Sequence, residues 1–434
     1  MTAKPAIGFC GLGAMGIGMA THLVKAGYAV TGFDLYAPSL ERFATAGGIP
    51  STSLSESAKD KPFYIVMVAA AYQAQPALFA AEGIVQALPH GATLLLCSTV
   101  PSAYAKSVEK ALVDAGRDDI YFVDAPVSGG AGRAADGTLS IMAGASEAAL
   151  HKGKWLLDEL SAPTKLFIVQ GGIGAGSNMK MVHQVLAAVQ ILAVSEAYGF
   201  AARLGLNGQD VYEAVVGGEA WSWMFENRSQ RTLKEDYFPG ASALTIILKD
   251  TGIITSTARS VDFPVTLCSV AEQVYFSALD RGWGANDDAG VVRLWTSEPV
   301  SSIQSTLSAD EKKSKLQLVS DLLIGIHICA AVEAILLAQR VGIPLSQFYE
   351  LACDAAGGSV MFKSFGGKLI PLLNGATQDS VSVSSELVRK LRGAVEEAQT
   401  IKCPIHLGSA ALNLMLQAGK TADQMAWLRV YGML

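Results

Sequence analysis

The chain has 434 residues, 50% of them hydrophobic and 17% charged, with a formal net charge of −6 and a pI near 5.6. That length exceeds one ordinary core and predicts two or three domains, while the acidic balance leaves no electrostatic footprint for nucleic acid or an anionic membrane. The six cysteines, at 10, 97, 268, 329, 353 and 403, contain no C-x-x-C pair, and no histidine or carboxylate cluster has ligand spacing. A reducing compartment without a disulfide frame or metal site is therefore expected.

Strand-like sequence begins by Ile7, which predicts no targeting peptide and a cytoplasmic protein. Ala6 to Cys10 is a short apolar strand, followed at once by Gly11-Leu12-Gly13-Ala14-Met15-Gly16. Helical sequence runs from Ile17 to Ala26, and Ala29 to Phe33 is a second strand ending at Asp34, 23 residues after Gly11. A bare G-x-G-x-x-G is weak, but between strand and helix with an acid at that spacing it predicts a dinucleotide site. The glycines serve a tight turn, close approach of backbone to pyrophosphate, and helix-to-strand packing; the helix N-terminus attracts the phosphates. Asp34 would accept the ribose hydroxyls, and a 2′-phosphate would meet its carboxylate with only Arg42 nearby, so NAD is expected over NADP.

The rhythm continues with apolar strands at Phe63–Val68 and Ala92–Cys97, separated by helical sequence at 75–88. Long apolar strands between helices imply a parallel sheet covered on both faces, with ligands outside the carboxyl ends of the strands. Ser98-Thr99 falls at such an end; a helix N-cap ahead of Pro101 is the competing account. Tyr121–Ala125 leads into Pro126-Val-Ser128-Gly129-Gly130, where exposed amides and a hydroxyl suit a carboxylate, or form a plain turn. Further strands are expected at 138–143 and 166–169. Then Gly174-Ala-Gly-Ser-Asn-Met-Lys180-Met-Val-His183-Gln184 reads as a glycine-rich turn entering a long apolar helix. Lys180, His183 and Gln184 share one helical face. A lysine in apolar surroundings loses its proton readily, as a general acid/base requires; a solvated surface lysine is the alternative.

Taken together, the Gly11–Gly16 loop, Ser98-Thr99, Asp124-Ala-Pro-Val-Ser128-Gly129-Gly130 and Gly174-x-Gly176-x-x-x-Lys180 resemble the β-hydroxyacid dehydrogenase family over about residues 6 to 300. The resemblance implies a Rossmann-type α/β domain followed by all-α helical domains like those of 6-phosphogluconate dehydrogenase. It implies Lys180 as catalytic acid/base, Ser128-Gly129-Gly130 as the carboxylate site, and Thr99 beside the nicotinamide. It also implies cofactor contacts along Gly11–Gly16, at Asp34 and Val68, and at Lys249 of the Lys249-Asp250 pair. Most members carry Asn-Asn where this chain has His183-Gln184. That pair, with Gly218-Glu-Ala-Trp-Ser-Trp-Met-Phe-Glu-Asn227-Arg228, resembles the L-threonate dehydrogenase branch, so both residues are expected to contact the extra hydroxyls of a four-carbon sugar acid; a satisfied, half-buried histidine is the bland reading of His183.

Ser195-Glu-Ala-Tyr-Gly-Phe-Ala-Ala-Arg-Leu-Gly205 is echoed by Val332-Glu-Ala-Ile-Leu-Leu-Ala-Gln-Arg-Val-Gly342, and Phe263-Pro-Val-Thr-Leu-Cys268 by Cys403-Pro-Ile-His-Leu-Gly408. A second helical copy is therefore expected, with domains at 1–172, 173–300 and 315–434 and a linker at 301–315. In the copy, Gln317 aligns with Lys180, Ser320-Asp321 with His183-Gln184, and Arg389-Lys390 with Lys249-Asp250, so it lacks the acid/base. Its apolar run from Leu316 to Leu337 is interrupted by Asp321, His327 and Glu333, which predicts a buried helix and no membrane partner. The copies are expected to pack as an internal pseudo-dimer, with a homodimer left open. The substrate expected is a small hydroxy acid; 3-hydroxyisobutyrate or tartronate semialdehyde chemistry, imine reduction and non-catalytic dinucleotide binding are the alternatives.

Overall fold

The computed structural model describes residues 4–375, 384–420 and 425–434, and divides into two compact units, Met1–Met181 and Val182–Leu434. The first is an α/β unit around a nine-stranded sheet. Its strands are β1 (Ile7–Cys10), β2 (Val30–Phe33), β3 (Ile49–Ser51), β4 (Phe63–Val66), β5 (Thr93–Leu96), β6 (Tyr121–Asp124), β7 (Val127–Ser128), β8 (Leu139–Ala145) and β9 (Ser161–Ile168). Their order is β3-β2-β1-β4-β5-β6-β8-β7, with β9 paired to β8. From β3 to β6 every pairing is parallel. β8 runs antiparallel to both β6 and β7, because the chain folds back through β7 and a short helix, Gly130–Ala135.

Side chains alternate across the central strands, so one apolar run feeds two cores. Ile7, Phe9, Ile65 and Leu95 pack with Met19 and Leu23 on one face. Cys10, Tyr64, Val66, Leu94 and Leu96 pack with Leu78, Val108 and Leu112 on the other. The helical stretch expected at 75–88 is broken into Ala71–Phe79 and Ile84–Ala87, with Gly83 at the restart. β3 and β7 escaped the sequence reading because three- and two-residue strands carry too little periodicity to register.

The second unit is all helical. The lysine helix, Ala175–Arg203, enters it from the first unit, followed by Gly208–Val216, Trp223–Lys234, Leu244–Ser260 and Thr266–Asp280. Five helices in the same order then repeat the pattern: Ala309–Arg340, Leu345–Asp354, Val360–Leu373, Ser385–Thr400 and His406–Ala418. Ala309–Arg340 starts earlier than expected and consumes half of the anticipated linker. Ser308 and Glu311 close a capping box there, each accepting from the other's backbone N–H, which nucleates the helix ahead of the apolar run. Ala175–Arg203 and Ala309–Arg340 are long and apolar enough to cross a membrane, but 94% of the apolar window in each is buried inside the protein.

The copies exchange one carboxylate each. Glu196, on the lysine helix, accepts from the backbone N–H groups of Leu407 (2.9 Å) and Gly408 (2.8 Å) at the start of His406–Ala418. Glu333, its counterpart on Ala309–Arg340, accepts from Leu267 and Cys268, both at 2.9 Å, at the start of Thr266–Asp280. A helix N-terminus leaves amides without intrahelical partners, and an anion there complements the helix dipole. The copies also meet where Ser222 bridges Ser359, Trp223 N–H donates to the Gly358 carbonyl, and Val360 N–H donates to that of Trp221.

Candidate active site

The glycine loop follows β1, beside β4, where the sheet order reverses direction. Gly11 has φ +95°, and a Cβ there would lie 2.3 Å from the Met67 carbonyl oxygen, so the turn admits only glycine. A Cβ on Gly16 would collide with the Gly11 carbonyl at 1.8 Å, whereas nothing stands within 4 Å of one on Gly13. Backbone is thus exposed at the position where a pyrophosphate needs to approach, and a dinucleotide fits the loop. Ala14 and Met15 carry the turn into the helix Gly16–Lys25.

Asp34 ends β2 and braces this loop. One carboxylate oxygen accepts from Leu12 N–H at 2.6 Å and the other from Tyr36 N–H at 2.8 Å. Each oxygen retains lone-pair capacity for a ribose hydroxyl. Arg42 is turned to Ser39 Oγ at 3.0 Å on its own helix. Ser98 is buried at the end of β5, where its Oγ accepts from Val68 N–H at 2.9 Å and ties together two strand ends. Neither Ser98 nor Thr99 caps the following helix, which begins at Ser102 after Pro101. Thr99 is half-buried beside that strap.

Asp124 is a residue whose importance the sequence did not single out. It ends β6 fully buried and accepts from Gly174 N–H (3.1 Å), Ser177 N–H (2.8 Å) and Ser177 Oγ–H (2.7 Å). Burial pushes its carboxyl up to about 6, against the pull of those donors. It pins the N-terminus of the lysine helix to the strand end that also launches Ser128-Gly129-Gly130. Ser128 is buried at the end of β7, and Gly129 and Gly130 are exposed with positive φ. Lys180, in the early turns of the helix, is 6% exposed. The available signal for Asp124 was its place at the head of the Asp-Ala-Pro-Val-Ser-Gly-Gly run.

In the helical unit, the residues following Lys180 belong to a directional hydrogen-bond chain. Gly357 N–H donates to His183 Nε2 at 3.1 Å, and His183 Nδ1 lies 3.2 Å from Gln184 Oε1. Gln184 Nε2 donates to Asp250 Oδ2 at 2.6 Å, and Lys249 Nζ pairs with Asp250 Oδ1 at 3.1 Å. The sequence placed His183 against substrate; its ring is fully buried, with both nitrogens engaged inside the helical unit. Arg228, read from sequence as part of a branch-specific motif, is buried in a two-pronged pair with Asp288 (2.6 and 2.9 Å) and donates to Ser242 Oγ. Among the described residues no group of three or more histidine, cysteine or acidic side chains could hold a metal.

Residues 6–172 match the family model described as the NAD binding domain of 6-phosphogluconate dehydrogenase. The model described as NAD-binding of NADP-dependent 3-hydroxyisobutyrate dehydrogenase matches twice, over 174–295 and 314–431. The L-threonate dehydrogenase of Cupriavidus necator is 36% identical over 289 residues, 67% of this chain and 95% of that protein. A crystal structure of 3-hydroxyisobutyrate dehydrogenase from Salmonella typhimurium is 34% identical and superposes with a TM-score of 0.62 over 67% of this chain and 100% of its own. Plasmodium falciparum 6-phosphogluconate dehydrogenase, at 16% identity, shares the fold over 96% of this chain and 93% of its own, with a TM-score of 0.67.

Proposed function

The chain belongs to the 3-hydroxyisobutyrate dehydrogenase-like family of β-hydroxyacid dehydrogenases and is a nicotinamide-dependent oxidoreductase; from that premise we propose that it oxidises a four-carbon sugar acid such as L-threonate, with NAD as acceptor and Lys180 as general acid/base. The observation that carries this reading is the buried lysine on a helix whose start is pinned by Asp124, the residue that opens the Ser-Gly-Gly segment. A bound nicotinamide supplies the hydride acceptor. The backbone of Gly11–Gly16 holds the phosphates, Asp34 holds the adenosine ribose, and Val68, Thr99 and Lys249 line the cofactor. Ser128, Gly129 and Gly130 hold the substrate carboxylate with a hydroxyl and two amides. Lys180 Nζ, as the free amine, accepts the proton of the reacting hydroxyl, and returns it in the reverse direction. Most of the chain's contribution is orientation within a preorganised site.

Gln184 is assigned to the additional hydroxyls of the sugar acid, with His183 behind it. A site built to hydrogen-bond those hydroxyls rejects analogues that leave its polar groups unpaired. The likeness to L-threonate dehydrogenases and the His183-Gln184 pair both support this substrate class. The enzyme is taken as cytoplasmic, in keeping with its likeness to bacterial dehydrogenases.

The test is NADH formation with L-threonate, D-erythronate, 3-hydroxyisobutyrate, D-glycerate and 6-phosphogluconate, with NADP run in parallel. A preference for a four-carbon sugar acid with NAD is expected. Turnover confined to 3-hydroxyisobutyrate or glycerate would discard the sugar-acid assignment, and a preference for NADP would remove the role given to Asp34.

A further inference from the structure

Resting on the reading of Lys180 as the catalytic lysine, we infer that the second helical copy acts as a built-in partner that positions the substrate-reading residues: the Gly357 amide fixes the tautomer of His183 and, through it, the orientation of Gln184. Gly357 lies between two helices of the second copy, Leu345–Asp354 and Val360–Leu373, yet both its N–H and its carbonyl are held by the lysine helix. Its N–H donates to His183 Nε2 at 3.1 Å, and its carbonyl accepts from Gln190 Nε2 at 3.0 Å. His183 and Gln190 are two turns apart on one face of that helix. A Cβ at 357 would stand 3.0 Å from both Cβ and Cδ1 of Leu186 and 3.3 Å from His183 Cδ2, so any side chain here would press on the lysine helix.

The amide can only donate, so Nε2 of His183 must be the bare nitrogen and Nδ1 must carry the proton. Nδ1–H then donates to Gln184 Oε1, which leaves Gln184 Nε2 to donate to Asp250 Oδ2. Rotating the Gln184 amide by half a turn would set its NH₂ against the imidazole N–H and its oxygen against a carboxylate, two repulsions at once. Donors therefore run in one direction from Gly357 to Asp250, and the amide that reads substrate has a single orientation. The relation has no reciprocal. The residue matching Gly357 in the first copy is Ala220, and the residue matching His183 in the second is Ser320, so the contact exists only where the lysine is.

Selective isotope labelling of the six histidines and nitrogen NMR of the full-length protein tests the tautomer directly, with the His183 signal assigned by its loss in His183→Asn. A single Nδ1–H tautomer is expected; an Nε2–H ring, or two tautomers averaging, overturns the inference. Gly357→Ala should lower kcat/KM for the preferred sugar acid roughly tenfold relative to that for 3-hydroxyisobutyrate, with the NAD Kd unchanged, because only the sugar acid uses the oriented amide. Equal losses on both substrates would reduce Gly357 to a structural role and overturn it. If Gly357→Ala does not fold, Gln190→Leu releases the Gly357 carbonyl without adding bulk at the loop and should shift the same ratio by about threefold; an unchanged ratio counts against the inference. A wild-type enzyme that turns over no hydroxy acid would sink the proposed function, while the tautomer measurement would still decide the positioning.

Discussion

The two helical copies share five helices in one order, the same serine N-caps at Ser222 and Ser359, and a reciprocal glutamate exchange, yet they have diverged completely at one helical face. In the first copy that face carries buried Lys180 and the His183–Gln184–Asp250 chain. In the second, Gln317 is exposed and donates to Asp321 at 2.8 Å, while Lys390, standing where Asp250 is, pairs with Glu386 at 3.1 Å. What persists is what packing and helix ends require, and what differs is the set of polar side chains on that face.

The sharpest division expected between the copies is catalytic. Lys180→Ala should reduce kcat by about a thousandfold with NAD affinity nearly intact, whereas Gln317→Ala at the matching position should leave kcat within about twofold. Steady-state rates and NAD titration of both variants measure this, and a Lys180→Ala enzyme with ordinary turnover would end the assignment.

Stability should show the opposite pattern, equal between copies. Glu196→Ala and Glu333→Ala each strand two buried backbone amides and should cost about 2–4 kcal/mol. Urea unfolding compares them; a large cost from one alone would mean that the exchange is not symmetric in energy. Tyr431 Oη also donates to Glu333 at 3.3 Å, which is one asymmetry between the two.

The smallest effect is in pH dependence. Burial raises both carboxyls from 4.5 to about 7, with backbone donors pulling them back. A folded-state pKa above the unfolded one makes a contribution that is whole below about 4.5 and is lost as pH rises through about 7. The urea midpoint should therefore fall between about pH 5 and about pH 8, and Glu196→Gln or Glu333→Gln should each flatten the fall. A slope unchanged in the double variant would assign the titration elsewhere.

Much of the dinucleotide unit was legible because its signals are local. A strand ending in Gly-x-Gly, a helix, and an acid closing the next strand each depend on neighbours within a few residues, and Gly11 shows why: its positive φ and the carbonyl pressing on it exclude any side chain. The repeat was legible because packing residues recur at a fixed offset. Asp124 and Gly357 were not. An aspartate at a strand end and a glycine in a loop have ordinary local explanations, and their significance lies in partners at sequence separations of 50 and 174.

By itself the sequence determined the alternation of strands and helices, the phosphate loop, the place of Lys180 on a helix and the duplication, since each is written in short-range periodicity or self-similarity. Only the tertiary structure decided which donor faces the His183 ring. An imidazole's role depends on which nitrogen carries the proton, and that is set by the donor facing it, here an amide from the other copy.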